Sequence, residues 1–135
     1  MSILKTKIAL ESRLASNFPS VQIAPESVTF FAPPNASYFR LNLQIGKPDD
    51  PVLGSKYRRE NLVFQVFCIA ETNKGTAAAL TLAEQVQGVF QRGTFISVDN
   101  LRIHVFTTPQ VGSSVVANNR LVVPVFIPVT VEVQV

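Results

Sequence analysis

A buried strand followed by an amphipathic helix is the feature that most constrains how this chain can fold. Leu62 to Ile69 is an almost unbroken apolar run with β-branched and aromatic residues on both faces, which predicts a strand covered on both sides. A turn signal follows at Asn73-Lys74-Gly75, and from Thr76 the apolar spacing changes to 3.6 residues. Thr76 is the predicted N-cap of this helix and Gly93 its predicted C′ stop. Such a helix needs a partner for its apolar face, so we expect it to fold back over a sheet that contains the strand.

Length and composition set wide limits on the class of protein. A chain of 135 residues is expected to form a single domain over residues 1–135 and to bury roughly two-thirds of its unfolded surface. Hydrophobic residues make up 47% and charged residues only 16%, whereas about 25% charged residues is usual. The low charge leaves two interpretations open. Either the core of the domain is well filled, or part of the surface is covered by other copies of the chain. A net charge of +3 is too small to indicate a nucleic-acid-binding protein.

The first helix is predicted from Ser2 to about Asn17, and its apolar residues share one broad side. Lys7 and Glu11 fall in the middle of that side, four residues apart. One interpretation is that the helix carries two apolar stripes, one for the core and one for a neighbouring subunit. The other, which we prefer at this point, is that the helix starts later or tilts.

Alternating residues predict a strand from Tyr38 to Ile45, with Phe39 among the core-facing residues and Tyr38 among the solvated ones. Two long loops are predicted, at Gly46 to Glu60 and at Thr108 to Arg120. Two short strands are predicted at Val21 to Ile23 and Val28 to Phe31. A hairpin is predicted from Phe95 to Val98 and Leu101 to Thr107, joined by Asp99-Asn100. The terminal strand is predicted from Leu121 to Val135, and Pro124 and Pro128 require a free edge or a bulge in it. Together these elements predict an α+β fold, a mixed, mostly antiparallel β-sheet with an N-terminal helix and a central helix packed against it.

The residues that carry chemistry are too few and too scattered to build a recognisable active site. His104 is the sole histidine and alternates with apolar residues in a strand, so we expect a solvated or hydrogen-bonded strand residue. Cys68 is the sole cysteine and is expected to be an inert core residue. We therefore predict no catalytic, metal-binding or cofactor-binding residue, no cofactor, and a protein that is not an enzyme. A small-ligand-binding domain remains an alternative, and it would require His104 or Cys68 to lie in a pocket.

Basic residues cluster where the first long loop meets the central strand, at Lys56, Arg58 and Arg59, with Tyr57 among them. Two interpretations of this cluster are open: it contacts phosphate or an acidic partner, or it is an ordinary solvated loop end. Lys74 in the turn before the central helix has the same two interpretations. No apolar stretch approaches the ~20 residues that a membrane span needs, and the N-terminus has no signal-peptide core, so we expect synthesis in the cytoplasm.

The region from Tyr38 to Gly93 resembles the tail terminator proteins of long-tailed bacteriophages, the lambda-like minor tail protein family and its prophage relatives. That family has an arginine-bearing segment that runs into an apolar–aromatic strand, a small turn that ends in Gly-Thr, an alanine-rich helix and a glycine stop. The residues that match this pattern are Arg58, Arg59, Leu62, Phe64, Val66, Phe67, Gly75, Thr76, Ala77 to Ala79, Ala83, Phe90 and Gly93.

The resemblance implies a phage structural protein. It implies a homo-oligomer, a hexameric ring that caps the tail tube, ends tail polymerisation and provides the surface that joins tail to head. The implied partners are the tail tube protein and a head-completion or neck protein. DNA is expected to pass through the ring without sequence-specific binding, and no membrane is involved. The protein would be made in the cytoplasm of the host bacterium and then lie in the virion, at the head-proximal end of the tail.

The resemblance also points to residues for assembly. Gly46 to Glu60 becomes the expected assembly loop, with Arg58 and Arg59 as contacts to a neighbour or to the tube. The loop is not simply basic, since Asp49, Asp50 and Glu60 lie in or beside it. The full set of expected interface residues is Lys7, Glu11, Lys56, Tyr57, Arg58, Arg59 and Lys74. Another phage protein, of the neck, of head completion or of the tail tube, is the nearest alternative; a tube subunit would polymerise alone into long tubes, whereas a terminator would stop at one ring.

Overall fold

Two long antiparallel strands form the centre of the fold. The structure is a computed structural model that describes residues 2–24, 37–48, 57–71, 76–117 and 120–134. Within these ranges the elements are α1 (Ser2–Asn17), β1 (Gln22–Ala24), β2 (Tyr38–Ile45), β3 (Tyr57–Glu71), α2 (Ala77–Val89), β4 (Phe95–Val98), β5 (Leu101–Val105), β6 (Gln110–Val111), β7 (Val115–Ala117) and β8 (Arg120–Gln134).

The strands form one sheet in the order β1-β2-β3-β8-β5-β4, and β6 and β7 also pair with β8. Only the β1–β2 pair is parallel among the described strands. This arrangement confirms the predicted α+β class with a mixed, mostly antiparallel sheet. The predicted strand at Val28 to Phe31 lies outside the described residues.

β3 is much longer than the apolar run that predicted it, because β8 supplies a partner for every residue. The register runs from Tyr57 opposite Gln134 to Glu71 opposite Arg120. The prediction of a loop as far as Glu60 is therefore wrong, since residues 57–60 belong to β3. Residues 49–56 of that predicted loop lie outside the described part of the chain. Local composition did not reveal the extension, because charged residues take part in a ladder when their side chains lie near an open end of the sheet.

The two prolines of β8 lie where its second ladder is interrupted. β5 pairs with β8 as far as Val129, β6 pairs with Phe126 and Val125, and β7 begins to pair at Val122. Pro128 and Pro124 fall in the two gaps, while both keep partners in β3. A residue's N–H and C=O point to the same edge of a strand, and the Pro124 carbonyl accepts from the Gly112 N–H at 2.8 Å. The missing proline donors therefore face the short strands, as the predicted break in pairing requires.

The second predicted loop, Thr108 to Arg120, is also structured. It contains β6 and β7, and Arg120 is the first residue of β8. The loop prediction is wrong here because both strands are short, three residues at most, and depend on β8 for their pairing. The hairpin before it is confirmed, and its turn residue Asp99 has the positive φ of 51° that a tight two-residue turn uses.

Helix α2 covers the centre of the sheet. Its inward residues Ala79, Ala83 and Val86 are fully buried, and small alanines let the helix approach β3 and β8 closely. Thr76 is at the N-cap position, as predicted, although its side chain makes no capping hydrogen bond. The helix ends at Val89, so the prediction of Gly93 as its C′ stop is wrong. Gly93, with φ 91°, instead forms the turn that leads into β4, and its N–H donates to the Val105 carbonyl at 2.7 Å.

Helix α1 lies against α2, β4 and β5. It begins at Ser2, so one half of the preferred interpretation, a later start, is wrong, while the other half, a tilted helix, stays a prediction. Leu10 and Leu14 are fully buried in the core, whereas Leu4 and Ile8 are 57% and 54% exposed. The helix therefore has two apolar stripes, one that the core covers and one that faces outward.

The sheet face opposite the helices is covered at one end. Tyr38 was predicted to be solvated, but it is only 7% exposed and packs with Ala24 and Ile69 in a second small cluster. Ile69 lies directly opposite Tyr38 on β3, and the Arg120 guanidinium carbon is 5.6 Å from the centre of the Tyr38 ring. The expectation that Tyr38 faces water fails because neighbouring strands bring these groups over the ring.

Phe64 tests how strongly the helix–sheet core contributes to stability. It is 1% exposed, and its ring meets Phe90 edge to face at 5.8 Å between centroids. We expect Phe64→Ala to lower the free energy of unfolding by about 3–5 kcal/mol in urea denaturation, because it leaves a cavity in a close-packed core. Phe106→Ala, at an exposed ring, is the matched control and should cost less than about 1 kcal/mol. Equal losses in the two variants would contradict this location of the core.

Candidate assembly surfaces

The residues considered for catalysis do not converge on a site. His104 lies on the open face of β5, where its ring stacks on Phe95 at 4.2 Å between centroids with an interplanar angle of 4°. The Arg102 guanidinium carbon is 4.3 Å from the centre of the same Phe95 ring. No group of acidic, histidine and cysteine side chains suited to a metal ion occurs among the described residues. His104 is thus a strand residue, as the sequence predicts, but its ring is stacked on Phe95 where a solvated or hydrogen-bonded imidazole was expected.

Cys68 is fully buried on the helix-covered face of β3. Burial raises the pKa of its thiol to about 12, because the apolar surroundings disfavour the charged thiolate. The thiolate is the nucleophilic form of cysteine, so this residue is inert in the folded chain.

The basic cluster predicted at the start of β3 is divided by the sheet. Successive residues of a strand point to opposite faces, so Arg58 shares the helix-covered face with Glu60, and Arg59 lies on the other face. Arg58 Nε donates to Glu60 Oε1 at 2.9 Å, and Arg59 Nη2 lies 3.8 Å from Glu132 Oε1. Each arginine therefore already has a carboxylate beside it. Lys56 and Lys74 lie outside the described residues, and of Tyr57 the structure describes only the backbone, which pairs with Gln134.

Lys7 and Glu11 border the outward stripe of α1. Both are half-buried, and neither forms an ion pair with any residue in the described ranges. The neighbouring Lys5 behaves differently, because its Nζ lies 2.9 Å from an oxygen of Asp99 in the β4–β5 turn. This ion pair ties the N-terminal half of α1 to the hairpin.

An apolar groove runs between the outward stripe of α1 and β4. It encloses about 390 Å³ and is lined by Lys5, Ile8, Ala9, Ser12, Ile96 and Val98. Neither His104 nor Cys68 lines it, and it holds no convergent set of polar groups of the kind that fixes a small ligand. Its chemistry suits an apolar protein surface better than a substrate.

Sequence reasoning missed three exposed apolar residues. Ile45 is 59% exposed, because β2 extends past the edge of the core, although the alternation placed its side chain on the core face. Val115 and Val116 of β7 are also strongly exposed. Adjacent β-branched residues in an otherwise polar segment were the signal that indicated a strand there.

Comparison with known proteins identifies the class of molecule that this arrangement belongs to. Residues 5–128 match the family model described as phage tail terminator protein. This chain belongs to the phage tail terminator family, whose members are structural proteins and not enzymes. The resemblance noted in the sequence is thereby confirmed, as is the prediction of a non-enzymatic phage tail component.

One solved structure whose name states no function shares the fold with a TM-score of 0.74. The alignment covers 100% of this chain and 97% of that chain at 21% identity, which supports the fold alone. A search of curated proteins found no match. Within the described ranges, neither helix has the length and apolar character needed to cross a membrane.

The burial of Cys68 predicts its reactivity. The thiol should resist a maleimide or disulfide reagent in the native protein at neutral pH and react fully in denaturant, since only unfolding exposes it and returns its pKa toward the ordinary range. Mass spectrometry of the labelled protein measures this. Fast labelling of the native chain would show that β3 opens locally.

The Lys5–Asp99 pair predicts a pH effect. The hydrogen bond and the positive charge of Lys5 hold the pKa of Asp99 below its usual range. Stability from this pair is therefore complete above the ordinary aspartate pKa and is lost as pH falls through the lower pKa of the folded state. We expect a carboxyl NMR titration to show a low Asp99 pKa that rises in Lys5→Met. Lys7→Met is the control and should leave the pKa unchanged; a rise of equal size there would refute the assignment to Lys5.

Proposed function

We propose that this chain assembles into a hexameric ring that caps the head-proximal end of the tail tube, ends its polymerisation and provides a surface for head joining. Family membership supports the tail terminator part of this proposal. The ring and its joining role go beyond family membership: the resemblance noted in the sequence implies them, and the exposed apolar surfaces of the chain support a contact between subunits. In this role the tail tube protein and a head-completion or neck protein are the partners, and DNA passes through the ring without sequence-specific binding.

The observation that carries the proposal is the outward apolar stripe of α1. Leu4 and Ile8 are on the solvent side of a helix whose opposite side fills the core. Full burial of such a side chain from an exposed position is worth about 1.5–3 kcal/mol. Leu4 and Ile8 still expose somewhat more than half of their surface, so a cover over the stripe is favoured by a part of that amount. A second copy of the chain would supply that cover, and the low overall charge of 16% is consistent with hidden subunit surface.

A ring also requires two different patches on each copy. In a head-to-tail assembly one surface of a subunit meets another surface of the next, and the assembly closes by rotation. Exposed apolar residues occur on α1 and, separately, on the strands at Ile45 and Val115. The chain thus has two separate exposed apolar patches, as a heterologous contact requires.

Arg59 is the candidate for a contact outside the ring, because it lies on the sheet face that no described helix covers. Its exposed pair with Glu132, at 3.8 Å, contributes little to folding. Charge reversal at Arg59 should therefore weaken assembly on the tube while the monomer remains folded. Unchanged tail length and ring formation in that variant would exclude Arg59 from the assembly surface.

The decisive experiment measures particle mass against protein concentration by light scattering, with negative-stain images of the same fractions, alone and with tail tubes from the same phage. We expect closed six-fold rings, either free at high concentration or seated on tube ends, and shorter tubes when the chain is present during polymerisation. Open-ended tubes formed by this chain alone would favour the tube-subunit alternative. A monomer that leaves tube length unchanged would overturn the proposal.

A further inference from the structure

We propose that in this ring the outward stripe of α1 on one copy docks onto the β2–β3 end of the next copy. The docking end is defined by Ile45, Arg58 and Glu60. This inference rests on the proposed ring and names the two surfaces that form it. The occupant of the apolar stripe is therefore a second copy of the same chain.

The donor surface combines an apolar stripe with two charges. Leu4 and Ile8 point outward, and Lys7 and Glu11 stand beside them, half-buried and without an ion-pair partner in the described ranges. Half-burial removes part of the hydration of a charge, so an unpaired charge in such a position is stabilised by an opposite charge on a partner. Lys7 and Glu11 are separated by about 6 Å along the helix axis, because each residue rises about 1.5 Å.

The acceptor surface also combines an exposed apolar residue with one positive and one negative charge. Ile45 lies opposite Leu62 on the helix-covered face, and Glu60 is its diagonal neighbour on β3. Arg58 shares that face, and the side chains of Arg58 and Glu60 are 43% and 10% exposed. Two residues along a strand are about 6.6 Å apart, which nearly equals the spacing of the two charges on α1.

The charges therefore match in sign and in spacing. When Glu11 faces Arg58, Lys7 faces Glu60. Leu4, about 10.5 Å along the helix from Glu11, then lies beside Ile45, which is about 13 Å along the strand from Arg58. The bond from Arg58 to Glu60 is kept, because each group can interact with a further charge, and the four side chains form an alternating row. Such complementarity fixes register and partner choice more than it adds affinity.

The two surfaces also lie on opposite flanks of the chain. β2 and β4 are separated by β3, β8 and β5, and adjacent strands lie about 4.8 Å apart, which places them about 19 Å from each other. The N-terminal half of α1, which carries the stripe, lies beside β4 and the β4–β5 turn, on the flank away from Ile45, whereas the end of the helix crosses toward β2, where Phe18 packs on Phe39 at 5.1 Å. Patches on opposite flanks suit a side-by-side, head-to-tail contact that continues around a ring.

Cysteine cross-linking on assembled rings tests the contact directly. The native Cys68 is fully buried and will not interfere. A chain with both Leu4→Cys and Ile45→Cys should, on oxidation, give a ladder of covalent oligomers that ends at the ring. Each single variant should stay monomeric, because a heterologous contact never brings two copies of one position together. A third pairing, Leu4→Cys with Val116→Cys, is the matched control at another exposed apolar strand residue and should give no ladder.

The outcomes separate this inference from the proposed function. Rings without a ladder, a ladder in the Val116 control, or dimers from Leu4→Cys alone would overturn the assigned contact while the ring itself stands. Failure of the wild-type chain to form rings, alone or on tubes, would overturn both.

A charge variant gives a second readout that does not depend on cross-linking. Glu11→Lys should raise the concentration needed for ring formation by about tenfold or more, since a lysine would face Arg58 of the neighbour. Glu84→Lys makes the same change of charge on the exposed face of α2 and should leave that concentration unchanged. If the two substitutions raised the concentration needed for ring formation equally, the cause would be net charge, and the Glu11–Arg58 contact would be overturned.

Discussion

The full-length pairing of β3 with β8 is the constraint on which the rest of the structure depends. Each strand has fifteen residues, and every residue of one has a partner in the other. Alternate residues of β8 from Val123 to Val131 are fully buried beneath α2. A shift of one residue in the register would turn all of these side chains to the open face, so the apolar pattern fixes the register strongly. β2 then extends the sheet on the β3 side, and β5, β6 and β7 extend it on the β8 side.

The prolines of β8 determine which strands pair with its edge opposite β3. Pro124 and Pro128 cannot donate hydrogen bonds, so no single strand can pair with β8 along its whole length on that side. Three short strands share the edge instead, and neither proline is paired in their ladders, although the Pro124 carbonyl still accepts from the Gly112 N–H. Val115 and Val116 belong to the short strand β7, which pairs with β8 on the far side of Pro124 from β6, and they are 59% and 66% exposed.

The sequence predicted those parts of the fold whose signal is local. Helix α1, strand β2 and the Asp99-Asn100 turn have the predicted bounds, because periodicity and turn chemistry suffice to define them. The first residues of β3, and both β6 and β7, were assigned to loops, because only pairing with β8 makes them strands. For the candidate site, the sequence indicated Lys7 and Glu11 as an irregularity and Arg58 and Arg59 as a cluster. It could not show that the two arginines face opposite ways, because both were assigned to a loop, and only pairing with β8 makes them successive residues of a strand. Ile45 was missed for a related reason, because alternation gives a direction but not the extent of the core.

The pairing of Arg58 with Glu60 bears on how a ring of this kind would be regulated. In the free chain these charges already compensate each other at 2.9 Å, so the acceptor surface is stable before any neighbour arrives. Docking of α1 would add a second pair of charges and cover a few apolar side chains, which gives a modest affinity in solution rather than an obligate oligomer. A tube end with six-fold symmetry would hold several copies side by side and raise their effective concentration for one another. The same weak contact would then close a ring on the tube while free chains remain separate. The proposed function would require this selectivity, since a ring contact that was strong in solution would use up the chains before a tube was ready to be capped.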